Sequence, residues 1–299
     1  MELKFTKVAD VKCLNLRVGG VPEHFNLPWH LACEGQMFQG LDANVSFREF
    51  GGGTGQLADA LDGDRLDMAI LLLEGAVKKI LSGGAYRIVK LYTESPLIWG
   101  IHVAAESPIQ TVQDCRNKRI AISRRGSGSH LIAIVDAAER GWSTDNMKFV
   151  EVDDLAGARQ ALAGGEADVF LWEKFMTKPL VDDGEFRRVG DRVVPWPAFV
   201  IAVRESILRS HPDLVLHLLQ QLMQVCKQLK QDPAAAQVLA TRYNLQPEDA
   251  RQWLDRTTWS QGFQMPGEAI QRVVNYLHVL HLLDQDHVDI QQIWHALAE

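Results

Sequence analysis

One loop near the start of the chain collects several side chains that could bind a small molecule. Glu23, His24 and Asn26 offer a carboxylate, an imidazole and an amide within a few residues of each other. Phe25 and Trp29 flank these groups and could stack on a planar ligand. Because ligand pockets combine apolar walls with a few polar groups, we predict that this loop binds a ligand. The alternative is that the two rings only pack the loop against its own domain.

Two glycine-containing loops could hold an acidic or polar group. Residues 51–55 read Gly-Gly-Gly-Thr-Gly, in which Gly53 lets backbone N–H groups approach a ligand and Thr54 is placed as a helix N-cap. Residues 124–130 lead into a second predicted helix, whose first turn suits a carboxylate, sulfonate or phosphate. The candidates in this second loop are Ser127, Gly128, Ser129 and His130. Both loops could also serve only as turns or caps.

Two acidic residues, Glu74 and Glu173, directly follow strongly apolar runs that are predicted to be strands. A charge in such a place is partly desolvated and needs a partner. A ligand amine or an aminopyrimidine edge would suit a carboxylate there. An internal partner such as Lys78 or Lys174 would serve equally well.

The sequence carries no common catalytic or metal-binding motif. It has neither the G-x-S-x-G nucleophile elbow nor the H-E-x-x-H zinc motif. Four scattered cysteines, Cys13, Cys33, Cys115 and Cys226, form no C-x-x-C pair, which favours buried free thiols. We therefore predict no catalytic residue, no cofactor and no required metal.

Composition and charge narrow the class of protein. The 299 residues are 46% hydrophobic and 23% charged, with a net charge of −7, which is typical of a folded globular protein. The chain shows no basic footprint for nucleic acid, so a nucleic-acid partner is not expected. The amino terminus has no apolar signal-peptide core, and no apolar run is long enough to span a bilayer, so we predict a cytoplasmic protein.

Short apolar strands alternate with amphipathic helices over the first two-thirds of the chain, which is typical of βαβ units with a parallel sheet. The predicted strands are 14–18, 45–50, 68–73, 119–123, 149–152 and 169–172, and the predicted helices between them are 29–38, 56–61 and 129–140. Residues 60–70 recur in pattern at 161–171, with a constant offset, which indicates two similar consecutive lobes.

Two extended connectors, 96–103 and 197–203, are predicted to carry the chain to the second lobe and back, as a hinge. We therefore assign residues 1–99 and 200–299 to the first lobe and residues 100–199 to the second. After the return the chain is predicted to be helical, and to pack against the first lobe. Helices are expected to begin near residues 212, 233, 247, 266 and 288.

These motifs resemble the nitrate/sulfonate/taurine and thiamine-pyrimidine group of type 2 solute-binding proteins. The resemblance rests on the Gly-Val-Pro-Glu-His-Phe loop, Phe-Gly-Gly-Gly-Thr at 50–54, two Leu-x-Gly-x-x-x-Asp strand entries, Lys-Arg-Ile-Ala-Ile at 118–122 and Gly-Ser-Gly-Ser at 126–129. The segments 22–29 and 97–102 are more similar still to a branch without signal peptides that is found in fungi and bacteria.

The resemblance implies an α/β fold of two Rossmann-like lobes joined by two crossover strands, with a C-terminal helical tail and a cleft that closes on a solute. It implies a thiamine-precursor-like pyrimidine or a small sulfonate or carboxylate as ligand, and makes a membrane transporter partner possible. The fungal pyrimidine-precursor synthases share this fold and are enzymes. They carry a cysteine-rich iron-binding run that this sequence lacks. Solute binding is thus the first hypothesis, an enzyme of pyrimidine or cofactor metabolism the second, and a transporter component the third.

Overall fold

The computed structural model describes residues 13–283 and 287–297, and its amino-terminal part builds an α/β lobe. The elements of this lobe are β1 (Leu14–Gly20), α1 (Leu27–Glu34), β2 (Ala43–Glu49), α2 (Gly53–Asp62), β3 (Met68–Leu72), α3 (Leu73–Leu81) and β4 (Tyr86–Leu91). Strand β1 pairs in parallel with both β2 and β3, as the alternating pattern predicts. Every residue of β3 is buried, which explains why this strand is apolar throughout.

The second lobe repeats this plan around its own sheet. Its elements are β5 (Ile98–Ala104), β6 (Arg119–Ile122), α4 (Gly128–Glu139), β7 (Lys148–Glu151), α5 (Leu155–Ala163), β8 (Val169–Glu173), α6 (Lys178–Asp182) and β9 (Phe186–Val193). The strand order is β7-β6-β8-β5-β9. Strand β6 pairs in parallel with β7 and β8, whereas β5 runs antiparallel to β8 and β9.

The chain then returns to the first lobe and ends in helices. These elements are β10 (Phe199–Arg204), α7 (Glu205–Ser210), α8 (Pro212–Gln231), α9 (Ala235–Tyr243), α10 (Pro247–Arg256) and α11 (Gly267–Val279). Strand β10 inserts antiparallel between β3 and β4, which completes the order β2-β1-β3-β10-β4. The chain thus crosses between the lobes twice, after β4 and after β9.

The repeated Asp that precedes an apolar strand in each lobe has a structural role. Asp67 Oδ2 accepts hydrogen bonds from the backbone N–H and the Nε–H of Arg17, both at 2.8 Å. Asp168 Oδ2 accepts the equivalent bonds from Arg119, at 2.8 and 3.0 Å. Each pair ties the entry of one strand to its parallel neighbour, β3 to β1 and β8 to β6. The repeated sequence pattern at 60–70 and 161–171 therefore reflects contacts that stabilise each sheet, and it does not mark a ligand site.

The C-terminal helices pack mainly on the first lobe, with α8 against α1 and α11 against α3. Helix α11 also reaches the second lobe, where the Tyr276 hydroxyl donates to Glu139 at 2.7 Å. The helix expected to begin near residue 288 is only a short 3₁₀ turn, Ile290–Gln292. None of the helices in the described part of the chain has the length and apolar character needed to cross a bilayer.

The four cysteines are free thiols, as predicted, but only two of them are buried. Cys115 and Cys226 are buried, Cys33 is half-buried and Cys13 is exposed. The expectation of buried thiols was therefore wrong for Cys13, which immediately precedes β1, and holds only in part for Cys33.

Candidate functional site

A cavity lies between the two lobes, where the central strands of both sheets end. The space not occupied by atoms there is about 420 Å³, which includes solvent at its opening. Ligands of open α/β sheets bind at this edge, beyond the carboxyl ends of the strands. The first lobe and the crossings contribute Val21, Glu23, Gly53, Thr54, Leu72, Leu97 and Phe199, and the second lobe contributes Trp99, Ser123, Ser127, Gly128, Ser129, Trp172 and Glu173.

Two carboxyl groups face this cavity from opposite lobes. Glu23 comes from the loop after β1 and is 7% exposed, while Glu173 ends β8 and is 3% exposed. Glu173 Oε2 accepts two backbone N–H bonds at 2.7 Å, from Phe175 and Met176. Glu23 Oε2 is buried and has no hydrogen-bond partner among the described residues. Within the described part of the chain, no lysine or arginine forms an ion pair with either carboxyl group.

Burial decides the protonation of this pair. Desolvation raises the pKa of Glu23 to about 8. Desolvation also raises the pKa of Glu173 well above its usual value, and the nearby charge of Glu23 raises it further. His24 Nε2 lies 3.5 Å from Glu173 Oε2, but burial lowers the pKa of His24 to about 3, so this imidazole is neutral and supplies no counter-charge. The Glu23 carboxyl group therefore holds its proton near neutral pH and can both donate and accept hydrogen bonds. Burial and the neighbouring Glu23 likewise favour the protonated form of Glu173.

The glycine-rich loop reaches the cavity through the first turn of α2. Gly53 adopts a φ of +70°, a conformation that side-chain-bearing residues rarely take, and both Gly53 and Thr54 line the cavity. Thr54 is not the N-cap that the sequence suggests, because the helix begins at Gly53 and Gly52 takes the cap position. The Thr54 hydroxyl instead accepts the backbone N–H of Leu72 at 3.0 Å, which fixes the end of β3 at the cavity wall.

The serine-rich loop reaches the cavity from the other lobe. Ser127 caps α4, accepting the backbone N–H of His130 at 3.4 Å. Ser129 Oγ accepts the backbone N–H of Ser123 at 3.0 Å and lies 3.1 Å from Ser127 Oγ. At Gly128 the lobes approach so closely that an added Cβ would lie 2.4 Å from a methyl group of Leu72. A larger residue at position 128 would therefore force Leu72 to move at the cavity wall.

His130 lies outside the cavity lining. Its Nδ1 accepts the backbone N–H of Gly126 at 3.0 Å, and its ring meets Phe149 edge-on at a centroid distance of 4.6 Å. Burial lowers the pKa of His130 to about 4. This histidine thus stabilises the serine-rich loop on the side that faces away from the cavity.

Four residues of the first loop pack behind Glu23 and do not line the cavity. His24 stacks on Trp253 at a centroid distance of 4.3 Å. The Phe25 carbonyl accepts the Tyr92 hydroxyl at 2.8 Å, and Asn26 Nδ2 donates to the Val21 carbonyl at 2.8 Å. Trp29 is fully buried and stacks on Phe47. Their shared effect is to hold the loop rigidly, so that Glu23 is presented to the cavity.

The aromatic walls come from residues that the sequence analysis did not propose as ligand contacts. Trp99 and Trp172 lie on the adjacent strands β5 and β8, and Phe199 begins β10. Trp99 Nε1 is buried and has no partner within the described part of the chain. Their positions could have indicated this role from the sequence, since all three residues lie where a strand meets the boundary between the lobes.

Glu74 does not line the cavity between the lobes but lies in a separate, smaller space. Its Oε2 accepts the Nε1–H of Trp196 at 2.9 Å, and both residues lie beside α11 in a smaller apolar space of about 230 Å³. Desolvation raises the pKa of Glu74 to about 7. Neither lysine proposed as an internal partner is used. Lys174 pairs with Asp191 at 2.6 Å, and no interaction between Lys78 and Glu74 affects the pKa of either group.

The donor set of the cleft suits an organic ligand better than a metal ion. Residues 13–283 and 287–297 contain no cluster of three or more His, Cys, Asp or Glu side chains that could hold one. The cavity instead offers aromatic walls, hydroxyl groups and two buried carboxyl groups, which is the composition of a small-molecule site.

Comparison with known proteins agrees with this geometry. Residues 99–192, which span β5 to β9, match the family model described as Ca3427-like PBP, where PBP denotes a periplasmic-binding protein. None of the curated protein sequences compared with the chain matches it.

Solved structures with the same fold cover nearly the whole chain. The CA3427 gene product of Candida albicans, described as defining a new family with the generic periplasmic binding protein fold, has a TM-score of 0.86 at 21% identity, over 94% of this chain and 96% of its own. The alkanesulfonate-binding protein SsuA of Xanthomonas axonopodis pv. citri, bound to MOPS, has a TM-score of 0.79 at 20% identity, over 94% and 98%. The aliphatic sulphonate-binding SsuA of Escherichia coli has a TM-score of 0.71 at 19% identity, over 94% and 97%.

These likenesses confirm the predicted fold class of two α/β lobes with a C-terminal helical region. The chain therefore has the periplasmic-binding-protein fold, and residues 99–192 of its second lobe match the Ca3427-like model.

Proposed function

We propose that the chain binds a small, planar metabolite that carries hydrogen-bond donors, in the cavity between its lobes. One observation carries the proposal: Glu23 and Glu173 enter the same cavity from opposite lobes without a basic partner in the described chain. A buried carboxyl group without a partner is costly, so a ligand that supplies donors stabilises the closed clamp. An aminopyrimidine of the thiamine-precursor type has a suitable edge, because its amino group donates and its ring nitrogens accept.

The aromatic walls support a planar ligand over a flexible one. Trp99, Trp172 and Phe199 present large apolar surfaces around the carboxyl pair. Stacking on such rings adds to the hydrogen bonds and fixes the orientation of a flat ring. The donor edge of the ligand would then meet the carboxyl groups while its ring faces lie against these side chains.

Isothermal titration calorimetry with matched probes tests the proposal. 4-Amino-2-methylpyrimidine should bind, and 2-methylpyrimidine, which lacks the amino group, should bind at least tenfold more weakly, since removing the donor leaves a buried acceptor unpaired. Replacing Glu173 by Leu should abolish the difference between the two probes. The exposed Glu166→Gln variant is the matched control and should bind as the wild type does. Equal affinity of the two probes for the wild type would contradict the proposal.

A small sulfonate is the second candidate, favoured by a different observation. The first turns of α2 and α4 meet at the cavity, with Gly53 and Thr54 on one side and Gly128 and Ser129 on the other. Helix N-termini attract anions, and the similar SsuA structure is bound to MOPS. The carboxyl pair opposes this choice by repelling an anion once it ionises. Binding of MOPS that weakens as the pH rises, together with no binding of the aminopyrimidine, would favour the sulfonate.

A further inference from the structure

Helix α11 contacts both lobes and the second crossing between them. It packs against α3 of the first lobe. Arg272, on α11, donates from Nη1 to the Pro195 carbonyl at 2.9 Å, in the segment that returns the chain from the second lobe. Tyr276, one turn further along α11, donates its hydroxyl to Glu139 Oε1 on α4 of the second lobe at 2.7 Å. Helix α11 therefore joins the lobes through contacts that the two crossings do not provide.

The acceptor at Glu139 is fixed in place by a second group. Arg192, on β9 of the same lobe, donates from Nη1 to Glu139 Oε2. The Arg192 guanidinium lowers the pKa of Glu139, so this carboxyl group is ionised at neutral pH. A hydroxyl that donates to a carboxylate forms a short, strong hydrogen bond. Because such a bond needs an O···O distance of about 2.5–3.0 Å, Tyr276 and Glu139 can form it only near the angle between the lobes that the structure has.

The contacts of α4 with the first lobe and with α11 run along one face of this helix. Gly128, Leu131, Val135 and Glu139 follow one another at intervals of three or four residues, which places them on the same face. Gly128 faces Leu72 at the cavity between the lobes, and the next two residues of the series line the small apolar space beside α11. The two ends of this face lie about 16 Å apart at 1.5 Å per residue. A movement of α4 that opens the cleft at one end therefore also displaces its contacts with α11 at the other.

We propose that α11 is a brace that holds the clamp in its closed arrangement, through the hydrogen bond from Tyr276 to Glu139. Opening of the lobes breaks this bond, so its removal shifts the equilibrium towards the open form. The inference does not depend on which ligand the protein binds. Because the carboxyl groups that line the cleft are buried, a ligand reaches them only when the lobes separate, and the brace therefore also limits the rate of ligand entry.

Hydrogen exchange of indole N–H groups, followed in ¹H–¹⁵N spectra of the full chain, measures the open fraction without any ligand. Trp99 Nε1 is buried at the cavity and has no hydrogen-bond partner in the described chain, so its proton exchanges with solvent when the lobes separate. Tyr276→Phe removes the hydroxyl donor and should speed this exchange about fivefold, which corresponds to about 1 kcal/mol for one hydrogen bond. The Trp29 Nε1 proton, buried in the core of the first lobe, should keep its rate.

Two further variants separate the brace from a general loss of stability. Tyr86→Phe removes a buried hydroxyl of the first lobe that has no hydrogen-bond partner among the described residues, and should leave exchange at Trp99 unchanged. In Glu139→Ala, which has lost the acceptor, adding Tyr276→Phe should have no further effect. The proposal is overturned if Tyr276→Phe leaves the Trp99 rate unchanged, if it speeds exchange at Trp99 and Trp29 equally, or if its effect persists in full in Glu139→Ala.

Discussion

Replacing Glu23 by Gln should remove a pH dependence of stability that the wild-type protein carries. Glu23 is buried without a basic partner in the described chain, and desolvation raises its pKa from 4.5 to about 8. A carboxyl group with a raised pKa binds its proton more tightly in the folded state than in the unfolded state. Its contribution to stability is therefore fully present below pH 4.5 and is lost as the pH rises through about 8.

The size of the effect follows from the raised pKa. One pH unit in this window corresponds to about 1.36 kcal/mol. Between pH 4.5 and pH 7, ionisation of Glu23 thus lowers the free energy of unfolding by about 3 kcal/mol. Glu173 shifts in the same direction, partly because of the charge of Glu23, so the protons of the two groups are released as a coupled pair. Opening of the cleft hydrates both groups, so the open form should gain population as the pH rises.

Urea unfolding of wild type and Glu23→Gln at several pH values between 5 and 8 measures this contribution. The amide resembles the protonated acid in shape but does not ionise. The difference in unfolding free energy between the two proteins reports Glu23 together with its coupling to Glu173. Exposed acids whose pKa is lowered by ion pairs, such as Glu34, contribute equally to both. The wild type should lose stability relative to the variant as the pH rises. A difference that stays flat, or that moves in the opposite direction, would refute the assignment of Glu23 as a buried, protonated group.

Three further substitutions test how the lobes and their loops are held. Gly128→Ala should weaken binding of the aminopyrimidine about tenfold in calorimetry, because the added Cβ collides with Leu72 of the facing lobe. The control variant Gly51→Ala has open space around the added Cβ and should bind normally. Ser129→Ala should lower the free energy of urea unfolding by about 1–3 kcal/mol, since it leaves a buried backbone N–H without its acceptor; an unchanged value would show that the bond is not formed. Trp196→Phe removes the hydrogen-bond donor to Glu74 and raises the pKa of that carboxyl group further. The variant's loss in free energy of unfolding should therefore be larger at pH 8 than at pH 6. An equal loss at both pH values would contradict the contact.

The two lobes and their order were predictable because hydrophobic periodicity reports burial directly. Strand β3 is apolar throughout and β8 is apolar up to its last residue, Glu173, since both are central strands covered on two faces. Strand β9 was not predicted, because only its first residue is buried and its other residues, half-buried or exposed, include three arginines. The insertion of β10 between β3 and β4 depends on contacts between residues far apart in sequence, which no local pattern contains.

The candidate site was predictable at the level of loops but not of side chains. The rule that ligands bind beyond strand ends located the loops that carry Glu23, Thr54 and Ser129, all of which line the cavity. It could not tell which way each residue of a loop points. Phe25 and Trp29 therefore resemble ligand contacts in sequence, although the structure buries both in the core of the first lobe.

A crystal structure of the protein with 4-amino-2-methylpyrimidine tests the central claim most directly. The ring should lie between the lobes against Trp99, with its amino group within about 3.2 Å of a carboxyl oxygen of Glu23 or Glu173. A ring bound outside this cavity, or one whose donor edge faces the first turns of α2 and α4 and leaves both carboxyl groups unpaired, would contradict it.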